Sequence, residues 1–254
     1  MPVLENLDLA TIVLVAAIAY TSAVFHSVGG FAGALLLTIG LAPVLGVKET
    51  IPVTAVAMIV SNSTRVMAFR RWIPWPAFFA IFSCALPGII LGAVLYIKLP
   101  VHYVALVLGI FLSITVPLRH YLQRRNYKVG LNGLRAIAVP YGFISGTVMG
   151  AGLMLGPFLL GAGIAGERII ALIATLGLGL NLTKTTVFGI SPLLDLAMAI
   201  KGLLIGICTM PGAYTGRWIV THTPIRLHTA FLEVFILCGA GYFLWRAATG
   251  LGWW

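Results

Sequence analysis

Charge is what this sequence has least of. Asp, Glu, Lys and Arg together make up 9% of its 254 residues, and six of them are acidic. A soluble domain carries about 25% charged residues, so no sizeable soluble domain fits into this chain. Cysteine is scarce as well. The three present, Cys84, Cys208 and Cys238, all lie in apolar segments, and an odd number so placed gives no disulfide framework. No Gly-x-x-x-x-Gly-Lys-Ser/Thr run is found, so nothing in the chain suggests phosphate-driven transport. Metal-ligand spacing is missing too: His222 and His228 stand six apart rather than at the i, i+4 spacing of a helical metal pair. No cofactor and no metal are expected.

What is abundant is apolar sequence. Hydrophobic residues make up 60% of the chain, in long runs such as 9–25 and 76–97. A spanning helix takes roughly 20 such residues, which leaves room for about ten crossings or partial crossings. The sequence therefore predicts an all-α, polytopic integral membrane protein. Its first run does not read as a cleavable signal peptide, because Glu5 and Asp8 precede it where basic residues would be needed.

The organising feature is a repeat. Val60-Ser61-Asn62-Ser63-Thr64-Arg65 is echoed 119 positions later by Gly179-Leu180-Asn181-Leu182-Thr183-Lys184, so each copy carries Asn-x-Thr followed by a cation. Around this motif the halves run in the same order. Segments 9–28, 31–45, 48–69, 76–97 and 102–118 are expected in the first, opening at Ser27-Val28-Gly29-Gly30. In the second, 134–149 and 151–165 are separated by Gly150, and 168–188 carries the second motif. After a five-residue insertion, Pro211-Gly212-x-x-x-Gly216 matches Pro87-Gly88-x-x-x-Gly92, Cys208 matches Cys84 and Pro224 matches Pro100. The small-x-x-x-small elements suit close helix packing in lipid. The glycine-rich openings read as broken or re-entrant hairpins. The division expected is a first membrane repeat over 1–119, a basic linker over 120–133 and a second repeat over 134–254.

The net charge of +10 reports orientation rather than nucleic-acid binding. Arg119, Arg124, Arg125, Lys128 and Arg135 fall in one acid-free stretch, the mark of a cytoplasmic loop. With 119–135 inside, Arg70, Arg71, Arg168, Arg217 and Arg226 also fall inside, against Lys48, Lys98, Lys201 and Arg246 outside. Five segments per half is odd, so the halves come out inverted and both termini lie outside. Inverted repeats are the architecture of secondary transporters with a site near mid-membrane. The tryptophans Trp72, Trp75, Trp218, Trp245, Trp253 and Trp254 stand mostly near expected boundaries, as an interfacial belt would.

At these residues the chain resembles the sulfite exporter TauE/SafE family of membrane permeases. The resemblance rests on Gly29-Gly30-Phe31-Ala32-Gly33, on Gly146-x-x-x-Gly150-Ala151-Gly152-x-x-x-Gly156-Pro157, and on the Asn-containing helix and the later Pro-Gly-x-x-x-Gly element. One departure is Thr38, which stands where Pro157 stands in the second half. The resemblance implies export of small sulfur-containing anions, sulfite or organosulfonates such as sulfoacetate, from a cell inner membrane.

The residues support a compatible reading of their own. A sulfur oxyanion needs cations and N–H or O–H donors, and Asn62, Ser63, Thr64, Arg65, Asn181, Thr183, Lys184 and Thr185 supply them. Helix breaks at Gly29, Gly30 and Gly150 would add backbone N–H groups. Plainer roles stay open beside these: Arg65 and Lys184 snorkelling to the surface, and Asn62 and Asn181 bonding helix to helix. For proton coupling the candidates are Glu233, the one acid well inside an apolar run, and His26, each with a structural alternative as an ion-pair or packing residue. The sequence points to a secondary transporter working by alternating access. An anion channel with the same Asn, Arg and Lys residues as its filter is the alternative, and a membrane assembly protein a third reading. An enzyme is not expected, since the only constructible dyad pairs Ser61 or Ser63 with Lys184. The expected partners are a small anion and the lipid bilayer.

Overall fold

Uninterrupted apolar runs can satisfy their backbone groups in lipid only as helices or a closed barrel, and the described residues of this chain are mostly helical. The computed structural model describes residues 8–29, 33–124, 128–222 and 225–252. Glu5, Gly30, Phe31, Ala32, Arg125, Pro224, Trp253 and Trp254, singled out above, lie outside them. Among the described residues the order is α1 (Leu9–Gly29), α2 (Gly33–Leu45), α3 (Val47–Phe69), a 3-10 turn (Arg70–Trp72), α4 (Trp75–Lys98), α5 (Val101–Arg124), α6 (Leu131–Thr147), α7 (Gly152–Gly161), α8 (Glu167–Gly189), α9 (Leu196–His222) and α10 (Ile225–Leu251), with no strand.

Seven of these, α1, α3, α4, α5, α8, α9 and α10, are long and apolar enough to cross a membrane. The helices α2 and α7 are apolar but too short to cross. The stretch expected over 151–165 is helical only as far as Gly161, after which the chain turns out through Gly163 and Gly166 to start α8. Between α6 and α7, Gly150 takes φ +78°, a left-handed conformation that an L side chain would strain. Large apolar side chains such as Leu91, Ile110, Leu203 and Ile207 stand exposed on the outer surface, as lipid contact requires. Trp72, Trp75, Trp218 and Trp245 are exposed too.

Packing between the halves is reciprocal. Helix α1 lies on α9 and α4 on α6; α3 packs on α8 and α9, α8 on α3 and α4, and α5 on α10. Exchanging α1–α5 for α6–α10 in order maps these pairs onto themselves. The match extends to single residues: a Cβ on Gly88 of α4 would meet the backbone of Val139 and Gly142 on α6, and one on Gly212 of α9 would meet Tyr20 and Ala23 on α1. Val139 and Gly142 stand 119 positions after Tyr20 and Ala23.

Helix directions follow from contacts along each pair. Gly250 of α10 abuts His102 of α5, Gly109 abuts Leu244, and His120 bonds Glu233, so α5 and α10 run antiparallel. Tyr96, near the end of α4, links the start of α3 to the end of α8. Its hydroxyl donates to Lys48 O at 2.9 Å and its ring lies 5.5 Å from that of Phe188. With Asn62 against Gly177 midway, α3 and α8 are antiparallel as well. Helices α3 and α8, and α5 and α10, thus point in opposite directions.

Candidate anion-binding site

Asn and the cation three residues later fall on one face of a helix. In both copies that face is the one turned inward. Asn62 and Arg65 of α3 and Asn181 and Lys184 of α8 are all buried, Lys184 to 3% exposure. Thr64 and Thr183, two positions after each Asn, point elsewhere. Each hydroxyl bonds back to its own helix, at Val60 O (3.1 Å) and Gly179 O (2.9 Å). Such back-bonding is the ordinary way a helical threonine satisfies itself in an apolar setting.

Between the two helices lies a cavity of about 60 Å³. Its polar lining comes from His26, Asn62, Tyr141, Ser145, Asn181 and Lys184, and the break before α7 contributes Gly150, Ala151 and Gly152. A single water needs roughly 10–15 Å³ on this scale, so the space suits a few waters or one compact oxyanion. Of the residues expected from sequence, Asn62, Asn181, Lys184, Gly150 and His26 line it. Ser63, Thr64, Thr183 and Thr185 are not among its lining residues, Gly29 closes α1, and Arg65 stands one layer back, against His26.

Lys184 has neutral company. Its Nζ lies 2.9 Å from Met149 Sδ and 3.4 Å from Val148 O. Among the described residues no carboxylate comes within ion-pair range of it. A charge so deep in the membrane, held by a thioether and a carbonyl, is short of a counter-ion. Asn181 donates from Nδ2 to Gly177 O at 2.7 Å, while its Oδ1 is buried with no partner. Asn62 rests against Gly177 from the other helix and lines the cavity together with the His26 imidazole. That ring accepts the N–H of Gly33, the first residue of α2, at Nδ1 (3.1 Å), and meets Arg65 Nη1 at Nε2.

A family model described as Sulfite exporter TauE/SafE matches residues 14–243. The chain belongs to the TauE/SafE family. No curated protein and no solved structure matches it. Membership sets this TauE/SafE protein among membrane anion exporters rather than enzymes.

Two of the cavity's polar residues, Tyr141 and Ser145, were not foreseen. A signal for Ser145 exists, since it stands 119 positions after His26. Tyr141 had none, because one tyrosine in an apolar helix looks like any packing residue. Glu233 is outside the cavity. It joins α10 to α5 through His120 Nε2 at 2.7 Å and Arg119 Nη1 at 3.7 Å, at the opposite end of those helices from the His102–Gly250 contact.

Proposed function

We propose that this TauE/SafE protein exports sulfite, or an organosulfonate such as sulfoacetate, by alternating access at the cavity between α3 and α8. The observation that carries the reading is Lys184, a buried cation that lines a cavity with both Asn residues and has no carboxylate near it among the described residues. An oxyanion supplies the missing charge and enough lone pairs for Lys184, the Asn62 amide and the backbone N–H groups opening α7. Because the neighbours are neutral, the anion is held without a second strong clamp and can leave again. The small cavity favours the compact sulfite over a longer sulfoacetate.

The two halves, 1–119 and 134–254 joined by the basic linker 120–133, act as inverted repeats that rock about this site. Reciprocal packing and the antiparallel course of α3 with α8 and of α5 with α10 support that reading. The linker lies on the cytoplasmic side of the inner membrane, with both termini outside, on the strength of the charge bias. If a proton accompanies the anion, His26 rather than Glu233 is positioned to take part, since it is the one that lines the cavity.

Proteoliposome flux of sulfite, sulfoacetate, sulfate and chloride tests the proposal. Saturable sulfite flux, accelerated by sulfite on the far side, is the result expected of a carrier. Large unitary currents would replace the carrier by the anion channel, and absence of flux for any anion by folded protein would remove the function altogether.

A further inference from the structure

The two half-sites are built to one plan but are not in the same state. Helix α7 opens at Gly152 and α2 at Gly33, 119 positions apart, and each start faces the Asn–cation face of its own half. In the second half that start lies open on the cavity, beside Asn181 and Lys184. In the first, the His26 imidazole fills the corresponding space. It touches the Gly33 N–H and Arg65 and lines the cavity beside Asn62, the counterparts of Gly152, Lys184 and Asn181. A Cβ added to Gly33 would collide with His26 itself. The residue matching His26 is the much smaller Ser145.

Hydrogen-bond counting shows the ring to be an imperfect occupant. A neutral imidazole has one acceptor nitrogen. Two obligate donors converge on this one, the Gly33 N–H at Nδ1 and the Arg65 guanidinium at Nε2. Whichever tautomer is present, one ring N–H faces another donor. An oxyanion has lone pairs for all of these donors and a charge to set against Arg65. From this we infer that the first half holds a second, latent oxyanion site, made by Gly33 N–H, Asn62 and Arg65, for which the His26 side chain is the built-in stand-in. When the imidazole swings away, a sulfite-like anion takes its place. The chain then offers two docking points related by a pseudo-two-fold axis, one for each half.

This rests on the reading of the cavity as an anion site, and the experiment separates the two. Equilibrium binding of sulfite under anaerobic conditions, and of methanesulfonate, is measured on purified wild type, Lys184→Ala, His26→Ser/Lys184→Ala and the same pair with Arg65→Ala added. His26→Ser gives the first half the residue that the second half already has. Lys184→Ala is expected to weaken binding at least about tenfold. The pair should recover about tenfold or more of that loss, and Arg65→Ala should abolish the recovery. Size-exclusion profiles and thermal unfolding confirm folding, and His26→Ala/Lys184→Gln, measured beside Lys184→Gln alone, serves as a second pair should the first not fold. No gain in either folded pair over its Lys184 single variant overturns the latent site, even where wild type binds sulfite well. Failure of wild type to bind either anion counts instead against the cavity reading, while the comparison of pair with single variant still decides the latent site.

Discussion

The Asn62 carboxamide of α3 rests on Gly177 of α8, so closely that a Cβ on the glycine would lie 2.9 Å from Asn62 Nδ2. This contact ties the two copies of the motif together at the cavity wall. Gly177→Ala therefore pushes on the end of a movable side chain rather than on backbone. Stability should fall by only about 1 kcal/mol, while the displaced carboxamide raises the KM for sulfite several-fold. Initial-rate flux beside thermal unfolding in detergent checks both halves of this expectation. Equal damage to stability and transport would deny Asn62 a place at the site.

Glycines between α4 and α6 should behave in the opposite way. A Cβ on Gly142 would run into the backbone of Ala85, and one on Gly146 into Ile89 O and Ala93 N. Backbone cannot step aside as a side chain can, so Gly142→Val should cost about 3 kcal/mol or more, with loss of folded protein on size exclusion. Gly130→Ala is the control. It sits just before α6 with nothing within 4 Å of its added Cβ and should be neutral.

Glu233 is assigned to structure. Its partners Arg119 and His120 sit on α5, and the pair is partly exposed, with side chains at 21% and 50%. Glu233→Gln should lower stability by about 1 kcal/mol or less and leave sulfite flux and its proton dependence as in wild type. Loss of proton-driven flux in a folded Glu233→Gln protein would restore the carboxylate as the coupling group.

Much of this was legible in the sequence, for physical reasons that differ from element to element. Long apolar runs alone point to about ten crossings or partial crossings, of which seven described helices are long and apolar enough to span, and the inward face of α3 and α8 follows from Asn and a cation spaced three apart. The threonines of the motif lie apart from the cavity lining: Thr64 and Thr183 bond back to their own helices, while the buried Thr185 hydroxyl has no partner among the described residues. The role of His26 was half visible: its nearness to Gly29 hinted at a site, but its contacts with Gly33 and Arg65 depend on how α1, α2 and α3 meet. No periodicity encodes such a meeting. Lys184 was the converse case, since its lack of a carboxylate partner becomes clear only once the neighbouring helices are in place.

Orientation has its own test. In a protein with Cys84, Cys208 and Cys238 replaced by serine, single cysteines at Lys98 and Lys128 provide exposed reporters at the end of α4 and in the basic linker. Membrane-impermeant maleimide should label Lys128→Cys from the cytoplasmic face and Lys98→Cys from the other. Labelling of both from one face would break the inverted arrangement.

The most direct test of the central claim is sulfite flux by Lys184→Ala and Lys184→Arg in proteoliposomes, at matched amounts of folded protein. An anion site built on Lys184 predicts that the alanine variant loses saturable flux by at least about tenfold, the rate equivalent of roughly 1.4 kcal/mol, and that arginine restores part of it. Saturable flux at the wild-type level from well-folded Lys184→Ala would contradict the claim and move the anion's path away from the α3–α8 cavity.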